Sequence, residues 1–290
     1  MAMPKDIKVI DTMMGIPVQE DRSDWYDSFK PLLKDAESRQ MFEMPAQYMF
    51  KDIPKTDNVS DFIQWTTEQM DIFNIQRAMI GFNEDETSRR AAKDYADRFF
   101  FDLPVDPNKG MDEVRRIKRL HNEYDIKSVS VFPAGTCPQV AINEKEMYPI
   151  YATCVELDIP IVLNVGVPGP RIPLRTQKVE HLDEVCWFFP ELKVLMRHGA
   201  EPWEDLAVKL MIKYPNLYYS TSAFAPRHYP KAILDYANSR GADKIIYGGY
   251  FPMGLSLERI FGDMEKLELK DTVWPKFLRE NAQKLFKLGE

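Results

Sequence analysis

The chain has 290 residues, of which 44% are hydrophobic and 29% charged, and its formal net charge at pH 7 is −7. A chain of this length and hydrophobic content can bury one large core, so we predict a single domain over residues 1–290. The excess of acidic residues argues against nucleic acid and anionic membranes as main partners, since both require a basic surface. A small organic molecule or a protein is the expected partner.

The three cysteines, Cys137, Cys154 and Cys186, show no CxxC spacing. An odd number without paired spacing favours reduced thiols over a disulfide framework, and therefore a cytoplasmic location. The first ten residues are too short and too charged for a signal peptide. No run approaches the roughly 18 apolar residues of a membrane span, so we expect a cytoplasmic protein that is not inserted in a membrane.

The first apolar run, KVID (Lys8–Asp11), predicts a short strand that ends at an acid. The mixed-charge stretch that follows, to about residue 54, is longer than an ordinary loop. It contains the aromatic residues Trp25, Tyr26 and Phe42. We predict that this stretch is an insertion covering the mouth of the domain.

A helix followed by a strand is the repeating unit of the remaining chain. Apolar spacing predicts a helix over Phe62–Phe73, with Asn58 or Ser60 as its N-cap, and then a strand over Arg77–Phe82. Six further strands are predicted, at Phe99–Pro104, Ser128–Pro133, Ile161–Asn164, Val194–Arg197, Leu217–Thr221 and Ile245–Gly248. The helices predicted with them are Thr87–Arg98, Met111–Tyr124, Glu144–Leu157, Gln177–Phe188, Glu204–Tyr214, Tyr229–Ser239, Leu255–Lys266 and Trp274–Leu288. This α/β alternation is typical of a (β/α)₈ TIM barrel, with a doubly wound sheet as the weaker alternative.

Polar residues stand where three of these apolar runs stop, namely Asn164, His198 and Tyr250. In a β/α barrel the residues at the carboxyl ends of the strands lie on the face that carries the chemistry. We therefore predict that these three side chains face one cavity.

The same runs, IVLNVG, VLMRHGAEPW and IIYGGYFP, resemble the metal-dependent amidohydrolase superfamily. The resemblance is to the amidohydrolase-2 group, which includes aminocarboxymuconate-semialdehyde decarboxylase, and it covers most of the chain. It extends to TSAFAPRHYPKAILDYANSRGADKIIYG and to VWPKFLRENAQKLFKL. The resemblance implies a metal held by Asp-x-His-x-His on the first strand, a His ending the fifth, a His ending the sixth and an Asp ending the eighth.

This chain departs from that pattern at most positions. The first strand continues from Asp11 with Met13 and Gly15 in the two His positions, Asn164 replaces the fifth-strand His, and Tyr250 replaces the final Asp. Neither a thioether nor glycine offers zinc a suitable ligand. We therefore expect a metal-free cavity in which only His198 of the pattern's histidines is kept.

A rebuilt zinc site is the alternative to a metal-free cavity. The chain has four histidines, and His121 and His181 fall in predicted helices of the outer ring. Since a catalytic zinc needs about three protein ligands, Asp11, His198 and His228 are the remaining candidates.

Without a metal, side chains must supply the chemistry. His198 is the candidate general base, because the reference pKa of histidine lies near neutrality. Asn164 and Tyr250 can orient the substrate or stabilise an oxyanion, and Asp11 completes the candidate catalytic set. Three arginines can clamp a substrate carboxylate, namely Arg171, Arg197 and Arg227. The expected substrate pocket also includes His228, Met13 and Trp203.

Each candidate has a structural alternative. His198, Asn164 and Tyr250 can be polar groups whose hydrogen bonds only hold the barrel together. Met13 can fill a gap in the core, and Asp11 can fix the first loop or pair with an arginine. Glu201 is read as an N-terminal acid of the following helix in preference to an acid of the site.

The function we expect is metal-independent hydrolysis of a small carboxylated or cyclic organic substrate. Two alternatives stay open: a decarboxylase of the same family, and a non-catalytic homologue that binds a ligand or a protein. The resemblance also implies a homodimer or a higher homo-oligomer.

Overall fold

The computed structural model describes residues 3–17, 29–40, 46–51, 53–56 and 59–289. Eight parallel strands in these ranges form one sheet, ordered sequentially from β1 to β8. The strands are β1 (Val9–Asp11), β2 (Ile75–Gly81), β3 (Phe99–Pro104), β4 (Ser128–Val131), β5 (Ile161–Asn164), β6 (Val194–Arg197), β7 (Leu217–Ser220) and β8 (Ile245–Ile246). The predicted TIM barrel is confirmed.

Helices connect successive strands, as predicted. They are α1 (Ala36–Arg39), α2 (Phe62–Ile72), α3 (Glu86–Asp94), α4 (Met111–Tyr124), α5 (Tyr148–Leu157), α6 (His181–Phe188), α7 (Glu204–Lys213), α8 (Lys231–Ala237), α9 (Leu257–Met264) and α10 (Asn281–Leu285). A π-helical stretch, Lys276–Glu280, leads into α10. No helix among the described residues is long and apolar enough to cross a membrane.

The N-cap of α2 is Asp61, whose carboxylate accepts hydrogen bonds from the backbone N–H groups of Ile63 and Gln64. The prediction of Asn58 or Ser60 as the cap was therefore wrong. A carboxylate directly before the first helical residue satisfies two of the free N–H groups that every helix start exposes.

The barrel closes between its first and last strands through the loops that follow them. Thr12 donates its backbone N–H to the Tyr247 carbonyl at 3.3 Å and its hydroxyl to the same carbonyl at 2.7 Å. Further along, Met14 and Phe251 form a parallel bridge. The closing contacts therefore lie at the carboxyl ends of the strands, beside the mouth.

Alternate residues of each strand point into the barrel. The inward residues nearest the amino ends form one apolar cluster, in which Phe100 and Leu195 pack against the C-terminal helix residues Ala282, Leu285 and Phe286. This cluster fills the lower barrel and closes its floor, as the interior side chains of TIM barrels do.

The next inward layer is polar, because the residues two places further along are Asp102, Ser130, Asn164 and Arg197. Asn164 and Arg197 are register partners on neighbouring strands. Asp102 lies across the barrel from Arg197, on β3. The barrel therefore has polar and charged side chains towards its mouth, above an apolar floor.

The described part of the insertion after β1 borders the mouth, in agreement with the prediction for this stretch. Phe29, Ala46, Met49, Phe50 and Lys51 line the cavity there. The aromatic residues of the predicted insertion, Trp25, Tyr26 and Phe42, lie outside the described residues, and so does Asn58.

Candidate functional site

A cavity of about 880 Å³ opens at the carboxyl ends of the strands. Its walls come from the loops that follow β3 to β8 and from the insertion after β1. Six of the side chains predicted for the site line it, namely Asn164, Arg197, His198, Arg227, His228 and Tyr250. This volume is in the range of pockets that enclose a small organic molecule.

Four other predicted residues do not line this cavity. Arg171 lines a separate groove on the outer side of the loop after β5 and binds the carboxylates of Asp35 and Glu37. Trp203 packs against the hydrophobic core at the start of α7. Asp11 and Met13 do not line the cavity either; Asp11 contacts the backbone of Gly249, and Met13 contacts Arg197, which does line it. Arg171 therefore joins the insertion to the barrel instead of facing the cavity.

The backbone at the end of β6 holds His198 in an uncommon conformation. Its φ is 68°, and the next two residues, Gly199 and Ala200, have φ of 99° and 62°. A left-handed backbone costs a residue with a side chain roughly 1–2 kcal/mol. Tyr219 helps to hold the turn by donating its hydroxyl hydrogen to the Gly199 carbonyl at 2.8 Å. Strain that is held in this way is typical of functional sites.

Ser222 fixes the imidazole of His198. Its Oγ accepts the backbone N–H of His198 at 3.2 Å and lies 3.1 Å from Nδ1 of the ring. A serine hydroxyl can accept and donate at the same time, so Oγ can also donate its hydrogen to Nδ1. The neutral ring then carries its proton on Nε2, where it can donate to a bound ligand.

Burial and the neighbouring charge of Arg197 lower the pKa of His198 well below its usual value. The ring is therefore neutral at physiological pH. A neutral imidazole that donates from Nε2 can polarise a carbonyl group, which is a different role from that of a base.

Tyr250 forms part of the cavity wall between an aromatic ring and the imidazole. Its ring stacks on Phe50 with centroids 5.4 Å apart and meets His198 edge to face at 5.5 Å. These contacts join the insertion after β1 to the loops after β6 and β8. They give the cavity one flat aromatic side.

Arg197 occupies the centre of the polar layer. Its Nε donates to Asn164 Oδ1 at 2.5 Å, and its Nη1 lies 3.9 Å from the sulfur of Met13 and 3.8 Å from Asp102 Oδ2. The side chain is only 13% exposed and lines the cavity. Burial lowers the pKa of Arg197, and the carboxylate of Asp102 acts in the opposite direction. An arginine keeps its charge under these conditions.

Asp102 was missed in the sequence analysis. It accepts a hydrogen bond from Ser128 Oγ at 2.8 Å, and burial raises its pKa in spite of the charge of Arg197. The signal was present in FFFDLP, where an acid falls two residues after the inward-facing Phe100. In a strand, residues two places apart share a face.

Glu201 also lines the cavity, which the sequence analysis did not favour. It does not cap α7, whose N-cap residue is Trp203. Burial, helped by the nearby Glu204, raises the pKa of Glu201. Gly166, with a φ of 89°, lets the loop after β5 approach closely, since a Cβ there would lie 2.7 Å from the backbone N and O of Glu201. The position of Glu201 is therefore set by a close contact between two loops.

Cations outnumber carboxylates among the residues that line the cavity. The cations are Lys51, Arg197, Arg227 and Arg259, and the carboxylates are Asp106 and Glu201. The rim cation Arg227 lies 3.7 Å from Asp263 and donates to Nε2 of His228 at 3.2 Å. A cavity of this charge favours anionic ligands.

Asp11 lies at the seam where the barrel closes. Its Oδ1 accepts the backbone N–H groups of Met13 and Gly249, each at 2.8 Å. The Tyr247 hydroxyl lies beside the carboxylate, but neither it nor Oδ2 makes a hydrogen bond of good geometry. Burial raises the pKa of Asp11 from 3.8 to about 6. These contacts favour the structural role, in which Asp11 fixes the first loop.

Asp11→Asn is expected to change how stability depends on pH. In the unfolded chain Asp11 loses its proton at a lower pH than in the fold, so wild-type stability falls as pH rises from about 4 to 6. The advantage of the Asn variant in the free energy of unfolding should grow by about 2–3 kcal/mol between about pH 4 and pH 7. Urea denaturation of both proteins at each pH measures this difference. A difference that stays constant with pH would contradict the raised pKa.

The residues at the metal positions of the resemblance do not fit a divalent ion. Asn164 Oδ1 already binds Arg197, Met13 directs a thioether to the same guanidinium, and a divalent cation placed there would be repelled by the arginine. The alternative set of Asp11, His198 and His228 is divided between the seam and the cavity wall. No group of three or more His, Cys, Asp or Glu in the described ranges could hold a metal ion.

The amidohydrolase family model (Amidohydro_2) matches residues 16–288 of the chain. A search of curated proteins gave no match.

Solved structures share the fold over nearly the whole chain. A TIM-barrel protein from Bordetella bronchiseptica is 22% identical, with a TM-score of 0.73 and coverage of 97% of this chain and 99% of that one. A manganese-bound 5-carboxyvanillate decarboxylase from Novosphingobium aromaticivorans is 17% identical, with a TM-score of 0.66 and coverage of 98% of each chain. A 2,6-dihydroxybenzoate decarboxylase from Rhizobium is 15% identical, with a TM-score of 0.64 and coverage of 98% and 99%. At these identities the likeness concerns the fold.

Proposed function

We propose, because the chain belongs to the amidohydrolase family (Amidohydro_2), that its cavity binds a small carboxylated substrate and hydrolyses an ester or lactone bond without a divalent ion. The observation that carries this proposal is the cation-rich cavity at the carboxyl ends of the strands, where a guanidinium lies among the positions expected to hold a metal.

The cations of the rim attract an anionic substrate to the cavity. Arg227, Arg259 and Lys51 line the cavity, and their positive charges favour an organic anion within it. Phe50, Phe132 and Phe224 contribute apolar rings to the walls. This combination suits a flat organic acid.

For the chemical step, Glu201 is the proposed base and His198 the proposed oxyanion donor. Water attacks the carbonyl carbon while Glu201 takes one of its protons, and Nε2–H of His198 donates to the oxygen that becomes negative. The intermediate then collapses, the bond from carbon to the leaving oxygen breaks, and that oxygen takes the proton from Glu201.

Two observations support this division of roles over the sequence-based choice of His198 as base. A hydroxyl hydrogen donated by Ser222 to Nδ1 leaves the ring proton on Nε2, and the lowered pKa makes the imidazole a weak base. The raised pKa of Glu201 makes its carboxylate a stronger base than an exposed glutamate.

The test is hydrolysis of 4-acetoxybenzoate by the purified protein, with and without a chelator, together with measurement of its metal content. We expect 4-hydroxybenzoate and acetate to form at the same rate in both samples, with metal well below one equivalent. Loss of turnover on chelation, restored by an added divalent ion, would contradict metal-independent hydrolysis. A saturable rise in melting temperature with no product would support the non-catalytic alternative instead.

Decarboxylation is the second candidate, because two of the structures that share the fold are decarboxylases of aromatic acids. It is tested by incubating the protein with 2,6-dihydroxybenzoate and with 5-carboxyvanillate and measuring released carbon dioxide. Release of carbon dioxide, with no hydrolysis of the ester, would favour the lyase over the hydrolase.

A further inference from the structure

The guanidinium of Arg197 lies among three residues that stand at metal-ligand positions of the family pattern. It binds Asn164 Oδ1 through Nε and has the sulfur of Met13 beside Nη1, and its charge interacts with Tyr250. These neighbours come from the end of β5 and from the loops after β1 and β8, while Arg197 itself ends β6. The positive charge of Arg197 therefore occupies the space on which that pattern converges.

Asp102 supplies only part of the counter-charge. Its Oδ2 lies 3.8 Å from Nη1 of Arg197, beyond hydrogen-bond length, while its Oδ1 is taken by Ser128. Nη2 of Arg197 has no hydrogen bond to any described residue, and it is not among the fully buried polar atoms that lack a partner. Because Arg197 lines the cavity and its side chain is 13% exposed, this edge of the guanidinium is left for a ligand.

We infer that Arg197, held by Asn164 and Asp102, is a built-in cation that takes the place of the divalent ion and binds a negatively charged oxygen of the ligand through Nη2. The ligand class is a planar organic acid, preferably an aromatic carboxylate. This inference rests on the proposed function, because it names the group that binds the anionic end of the substrate in the same cavity.

The chemistry of the guanidinium fits this role. It stays charged when buried, and it directs planar hydrogen bonds that match a carboxylate. The aromatic walls formed by Phe50, Phe132, Phe224 and Tyr250 favour a ring on the ligand. A ligand carboxylate at Nη2 would complete a counter-charge that Asp102 supplies only in part.

The test measures the binding of benzoate, which cannot be hydrolysed, by isothermal titration calorimetry. Benzamide, with the same shape and no charge, serves as the neutral probe. The informative variant is Arg197→Met combined with Asp102→Asn, because it removes one charge of each sign and leaves the net charge of the cavity unchanged. Arg259→Met is the control, since it removes a cation of the rim.

We expect the double variant to bind benzoate roughly 10- to 100-fold more weakly than the wild type, the effect of one charge-assisted hydrogen bond. Arg259→Met should weaken binding by less than that. Asp102→Asn alone should tighten benzoate binding several-fold, because Arg197 then has no carboxylate partner. Benzamide should bind weakly to all four proteins.

Unchanged benzoate affinity in the double variant would overturn the inference, and so would a loss in Arg259→Met as large as that in the double variant. The result is independent of turnover. Benzoate binding through Arg197 without ester hydrolysis would uphold the inference and contradict the proposed hydrolase. Chelator-resistant hydrolysis with unaltered benzoate binding in the double variant would uphold the proposed hydrolase and contradict the inference about Arg197.

Discussion

Arg197→Met alone is expected to lower the free energy of unfolding by about 3–5 kcal/mol, and adding Asp102→Asn is expected to recover most of that loss. The single variant leaves the carboxylate of Asp102, which is 5% exposed, without a cation inside the barrel. The double variant leaves a neutral amide that Ser128 can still reach. Urea denaturation of the wild type, both single variants and the double variant gives the coupling between the two sites.

The dependence of this loss on pH provides an independent check. Burial raises the pKa of Asp102 even with Arg197 present, and removing the arginine should raise it further. The free energy of unfolding of Arg197→Met should therefore approach that of the double variant as the pH is lowered, because the carboxylate of Asp102 then takes up a proton. Equal stability of these two variants at every pH would show that the charges are not coupled.

His198→Asn is expected to lower kcat/KM for 4-acetoxybenzoate by about 10²–10³-fold, the usual effect of losing one oxyanion donor. Asparagine tolerates the left-handed backbone of this position better than alanine does, so the fold should be retained. A melting temperature near that of the wild type is the control for the fold.

The pH profile of the same variant separates the two roles considered for His198. If Glu201 is the base, the fall in kcat/KM at acidic pH belongs to that carboxylate and should persist in His198→Asn. Glu201→Gln should remove both the acidic fall and most of the turnover. An acidic fall that disappears in His198→Asn would return the role of base to the histidine.

The fold was accessible from the sequence because buried parallel strands and surface helices leave different local patterns. The predicted β3 agrees with the structure, and β5 and β6 were placed at their observed ends. Helix starts were less accurate, since α5 begins at Tyr148, after a 3₁₀ turn over Lys145–Met147, and not at Glu144. Local periodicity cannot separate a 3₁₀ turn from the helix that it leads into.

The site was accessible only in part. Asn164, His198 and Tyr250 were placed together because they follow strand ends that converge in any barrel. The pairing of Asp102 with Arg197 joins residues 95 positions apart on β3 and β6, and no local pattern encodes it. Glu201 was assigned to a helix start because acids are common there, whereas its contact with the loop of Gly166 depends on tertiary packing.

The charge at the centre of the polar layer is covalently part of the chain, since it belongs to Arg197. The occupancy of a site for a dissociable ion depends on the free concentration of that ion, and the ion stabilises the fold by RT ln(1 + [L]/Kd). The charge of an arginine does not depend on a binding equilibrium. It is present in a metal-starved cell as in a metal-rich one, and no competing ion can replace it. Only mutation can remove this positive charge, because an arginine does not lose its proton at any physiological pH.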